Sequence, residues 1–120
     1  MTYACSLALV LFTTTAFAAP EPAADRRTVK GEVVDVVCSR SKGDGGKGER
    51  HGACAMSCAK SGSQMAILTG ETLYIVEGDY AANSNARLLD FVARQVEAKG
   101  DVVERAGAVT INIVSMIVVK

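Results

Sequence analysis

Four residues carry most of the chemistry this chain can offer: Cys38, then His51, Cys54 and Cys58 in the spacing H-x2-C-x3-C. On an α-helix, positions 51, 54 and 58 fall at i, i+3 and i+7, so the spacing predicts three side chains on one face. Cys38 then needs only to be brought alongside them. Three thiolates and one imidazole form the Cys3His set that structural zinc takes in a closed tetrahedron, and thiolates suit copper(I) equally. A zinc or copper ion is therefore the expected cofactor. Asp35, three residues before Cys38, is the expected outer partner of the His51 ring, holding it in place for the metal.

A disulfide joining Cys38 to Cys54 or to Cys58 is the competing arrangement. A Cys54–Cys58 bridge is not, because Cβ atoms four apart on a helix stand about 5–6 Å from each other and a disulfide wants about 3.5–4.5 Å. The fourth cysteine, Cys5, lies in a segment expected to be removed. Residues Ala4 to Phe12 are weakly polar to apolar, and Ala16-Phe17-Ala18 has the small-x-small form of a cleavage site, so Met1 to Ala18 reads as a secretory signal peptide. The three threonines at 13 to 15 interrupt the apolar run and argue against a membrane anchor. The expected mature protein is periplasmic or secreted, has no membrane span, and keeps three cysteines in an oxidising compartment. That odd count leaves one thiol over from any internal disulfide and favours the metal reading.

After cleavage about 100 residues remain, enough for one core and too few for two domains. Thirteen Lys and Arg balance thirteen Asp and Glu, so there is no excess positive charge with which to neutralise phosphates. Tyr74, Tyr80 and Phe91 are the only aromatics past the signal, too few for a base-stacking platform. Nucleic acid is not an expected partner; a metal ion is, and an envelope protein or a saccharide is the alternative. Nor is an enzyme expected, because a single histidine on the same helix as its would-be nucleophile cannot easily also be oriented by a third group. Thiol-redox activity is the remaining alternative, although no C-x-x-C is present.

The elements that must position the cluster read as follows. Residues 19–27 hold both prolines and several charges and are expected to be a disordered lead-in, with the domain spanning 28–120. Val29 to Cys38 reads as a central strand, apolar on both faces. Ser39 to Arg50, with Gly43, Gly45, Gly46 and Gly48, reads as a mobile surface loop. Gly46-Lys47 does not complete a phosphate loop, because Gly48 stands where Ser or Thr is needed and Ser41 where the leading Gly belongs. His51 to Lys60 is rich in Ala, Met, Cys and Ser and ends near Gly62, which predicts a short helix. Gln64 to Leu68 and Leu73 to Val76 form a hairpin; Asn83 to Asn85 cap a helix reaching about Ala93 with Leu88, Leu89 and Val92 on one side. Gln95 to Arg105 and Val109 to Val119 form a second hairpin, with Gly100 where a bulge or bend would fit. Five strands, with the Cys/His helix after the first and another helix between the third and fourth, is the order of a mainly β, five-stranded OB-fold-like barrel.

On the run Gly31 to Asp35 with Cys38, on His51, Cys54 and Cys58 followed by Ala59-Lys60-Ser61-Gly62, on Leu73-Tyr74, and on Val96 to Gly107 with Gly100 between them, the chain resembles a group of small exported bacterial OB-fold-like proteins of uncharacterised function. The resemblance implies the barrel and the D-x2-C and H-x2-C-x3-C cluster. It implies no activity.

Overall fold

The computed structural model describes residues 15–20 and 23–119. Most of the expected signal peptide, residues 1–14, lies outside the described residues, as does Lys120. Five strands close a barrel in the order β1-β2-β3-β5-β4: β1 Asp25–Asp35, β2 Met65–Thr69, β3 Thr72–Glu77, β4 Gln95–Arg105 and β5 Ala108–Val118. All neighbours run antiparallel except β3 and β5, which pair in parallel from Tyr74↔Val109 to Glu77↔Asn112. This is the expected OB-like barrel. Alternating residues of the strands point inward, and Val33, Met65, Ile67, Val96, Ala98 and Ile111 are fully or almost fully buried there. Among the described residues no helix is long and apolar enough to cross a membrane.

The first strand departs from expectation at both ends. Asp25, Arg26 and Arg27, expected within a disordered lead-in, already pair with Val102, Asp101 and Gly100 of β4. All three side chains are exposed, Arg26 reaching Asp101 at 2.8 Å and Arg27 reaching Asp25 at 2.7 Å, so polarity there marks a strand end exposed on both faces and not disorder. At its other end β1 stops at Asp35, three residues short of Cys38. Helix α1, Val36–Lys42, follows at once. Valines have only modest helix propensity, but Val36 buries against Ala66 and Ile75, and packing outweighs that preference.

The glycine-containing segment is not a free loop either. It forms α1 and a tight turn over Gly43–Gly46, and Glu32, only 9% exposed, accepts from the Gly48 N–H with both carboxylate oxygens at 3.0 and 2.9 Å. Helix α2 then runs over Gly52–Lys60.

Between β3 and β4 the expected single helix is replaced by short turns over Gly78–Tyr80, Ala82–Asn85 and Leu89–Phe91. Asn83, Ser84 and Asn85 have φ of +53°, +53° and +59°, a left-handed run from which a right-handed helix cannot propagate. Instead of capping a helix of its own, Asn85 caps another: its Nδ2 donates to the carbonyls of Ala59 and Ser63 at 3.0 and 2.8 Å, at the C-terminal end of α2. Leu88 is still buried as its apolar character demands.

The closing hairpin matches its sequence closely. Ala106 and Gly107 both have positive φ, the twist that a two-residue turn between right-twisted strands requires. The register slips where Gly100 pairs with Ile113 and Lys99 with Ser115, so Val114 is the extra residue of a bulge. A side chain at 100 would collide with the Asn112 carbonyl and the Ile111 side chain.

Candidate metal centre

Each cysteine reaches the site from the first or second turn of a helix. Asp35, extended at φ −76° and ψ 130°, is the N-cap of α1, and its Oδ1 accepts from the Cys38 N–H at 2.7 Å. That bond satisfies one of the helix's free donors and fixes Cys38 in the first turn. Helix α2 lies on the barrel through Ala55 and Ala59, 1% and 0% exposed, whose small side chains allow a close approach. Cys54 and Cys58, one turn apart, sit on the flank of that buried stripe; Cys54 is exposed and Cys58 half-buried. Asn85 ties down the far end of the helix.

The outcome is a group of three sulfurs. The Sγ atoms of Cys38, Cys54 and Cys58 all lie within 4.8 Å of one another. No disulfide links them: all three are free thiols, so the bridge of Cys38 with Cys54 or Cys58 weighed as an alternative is not formed in this structure.

His51 is not brought into that group. It belongs to a tight turn over Glu49–His51 that precedes α2, so the helical phase that aligns 51 with 54 and 58 does not extend back to it. Its side chain turns inward, 7% exposed, and its Nε2 has no hydrogen-bond partner. Asp35 does not serve the ring either. Its Oδ1 is bonded to the Cys38 backbone, and its Oδ2 is buried without a partner.

Asp35 acts on the thiols instead. Asp35 next to the Cys38 thiol, with burial adding to the effect and Lys42 opposing it, pushes Cys38 from its ordinary 9.0 up to about 11. Burial, and then the charge of Asp35, also raises Cys58. Both groups therefore carry their protons at neutral pH in the metal-free protein, and an ion that binds here must displace them.

Sequence reasoning picked out Asp35 but gave it the wrong neighbour, since its role depends on α1 starting at Val36, where valine-rich sequence reads as strand. Asn85 was legible only as a cap for its own segment. Nothing in the sequence signals that it would clamp a helix 26 residues earlier.

Comparison with protein-family models, with curated proteins and with solved structures finds no match for this chain. The molecule is accordingly described by what its residues build: a small five-stranded β-barrel carrying a group of three cysteines that could hold a metal ion, with no family assigned to it.

Proposed function

We propose that this is an exported metal-binding domain in which Cys38, Cys54 and Cys58 hold one thiophilic ion, zinc or copper(I), with the barrel as scaffold. A single observation carries the reading: three unpaired sulfurs from two helices converge to within 4.8 Å, a spacing that thiolate ligands of one ion need to close only slightly. Export rests on the signal-like pattern of Met1 to Ala18. His51, expected from the H-x2-C spacing as a ligand, is buried outside the sulfur group and is not part of this site.

The thiol-redox alternative lacks the C-x-x-C spacing of a redox dithiol. The alternative of an envelope-binding module, with protein or saccharide as partner, has no comparable observation in its favour.

The test is elemental analysis and a free-thiol count on one natively purified sample. About one equivalent of metal is expected, falling to none in Cys54→Ser. A metal-free sample with three free thiols would remove the proposal, and one with a single free thiol would put a disulfide staple in its place.

A further inference from the structure

We propose that the Asp35 carboxylate is the fourth donor of this centre, making it a three-sulfur, one-oxygen site for a divalent ion of the zinc class and not for copper(I). The inference rests on the three-cysteine reading above and deepens it by naming the missing ligand and the class of ion.

Asp35 is 1% exposed, and its Oδ2 is shielded from solvent with no hydrogen-bond partner. A buried carboxylate oxygen without a donor is costly, and native proteins seldom leave one so unless an ion or a water belongs there. Its position favours the ion. Oδ1 is already anchored to the Cys38 N–H at 2.7 Å, which holds the carboxylate against the residue that supplies one of the three sulfurs and leaves Oδ2 uncommitted. Oδ2 stands outside the 4.8 Å sulfur group; an ion seated on the three sulfurs would draw it in, with the Oδ1 bond as pivot. A carboxylate held by one oxygen to the backbone and offering the other to a metal is an ordinary zinc ligand.

The donor set then selects the ion. Copper(I) is soft and gains little from a carboxylate oxygen, whereas zinc accepts sulfur and oxygen together. Charge acts in the same direction. Three thiol protons leave to solvent on binding, so three thiolates and one carboxylate surround the ion. A divalent cation neutralises half of that charge and a monovalent one a quarter, at a place where Asp35 has almost no solvent to screen it.

Asp35→Asn keeps the Oδ1 acceptor that caps α1, and Asp35→Ser keeps a capping oxygen while removing the carboxylate reach. The full chain and each variant, reduced and metal-free, are titrated with cobalt(II) as a spectroscopic stand-in, with zinc in competition, and with copper(I). Circular dichroism of the metal-free samples checks that both variants stay folded. The expected result is one cobalt(II) bound with thiolate charge-transfer absorption in the wild type. Zinc affinity should fall roughly tenfold or more in both Asp35 variants, with an altered visible cobalt spectrum and copper(I) affinity unchanged or higher. His51→Asn should leave the zinc affinity and the spectrum as they are. An Asp35→Asn protein that binds zinc as tightly as the wild type with the same cobalt spectrum would overturn the proposal and leave the cysteine site standing. So would loss of zinc on His51→Asn. A wild type that binds none of the three ions would remove the cysteine site itself, and this inference with it.

Discussion

The β4–β5 hairpin and the helical segment between β1 and β2 are held together in different ways. The hairpin is a ladder of backbone pairs from Val96↔Val118 to Arg105↔Ala108, with its inward side chains in the barrel core, so many equivalent contacts share the work. The helical segment has no ladder. Besides the packing of Val36, Ala55 and Ala59, three side chains bonded to backbone hold it: Asp35 to the Cys38 N–H, Glu32 to the Gly48 N–H and Asn85 to the Ala59 and Ser63 carbonyls. The frame of the molecule is thus redundant and its site is not. A domain built this way can keep its fold while the geometry of the three sulfurs is adjusted one contact at a time.

The strongest challenge to that contrast is Gly100→Val, because the hairpin has one position where redundancy fails. A side chain there meets the Asn112 carbonyl and Ile111, and overpacking of this kind costs about 3 kcal/mol. Chemical denaturation should show the whole barrel destabilised in a single transition. If Gly100→Val melted like the wild type, the bulge would be more yielding than the register implies.

Asn85→Ala comes next and falls on the other side of the comparison. Two hydrogen bonds to the end of α2 disappear, with an expected loss of about 1–3 kcal/mol. Hydrogen exchange should quicken in α2 before it quickens in β4 and β5, and metal affinity should fall with it. Uniform loss across the molecule would mean that the helix and the barrel unfold as one unit. Glu32→Gln is milder, since the amide can still accept one bond from Gly48. About 1 kcal/mol is expected, read as a shift in the denaturation midpoint.

The smallest effect is one of pH and reports chiefly on Asp35, with burial of the Cys38 thiol adding to it. Cys38 has its pKa raised in the folded state, from 9.0 to about 11. The stabilisation this represents is fully present below pH 9 and is lost as pH rises towards 11, where the unfolded chain ionises its thiol first. Thermal unfolding of metal-free protein should therefore fall more steeply over that window in the wild type than in Asp35→Asn. Equal slopes would mean that the carboxylate does not touch the thiol.

How much of this was legible in the sequence follows the same division. Strand alternation in Gln95 to Arg105, the Ala106-Gly107 turn and the Gly100 irregularity are local signals, and each predicted its element within a residue or two. The alignment of Cys54 with Cys58 was also readable, since i and i+4 on a helix face one way, and Cys38 needed only to be brought alongside. The placement of His51 was not. It required the helix to begin one residue later than composition suggests, and a residue just outside a helix need not follow its phase. The missing helix before β4 failed for a related reason: asparagines that favour an N-cap also tolerate left-handed φ, and sequence does not distinguish the two uses.

The sequence by itself determined the barrel, because period-two apolar patterning and turn residues act over a few positions, and it singled out Cys38, Cys54 and Cys58 as residues to be brought together. Only the tertiary structure decided which atoms meet. Asp35 came to the thiols because Val36 found a buried place against Ala66 and Ile75 and ended the strand there, and His51 was turned into the interior by a tight turn whose Gly48 is held by Glu32. Both outcomes depend on contacts between residues far apart in the chain, which no local pattern encodes.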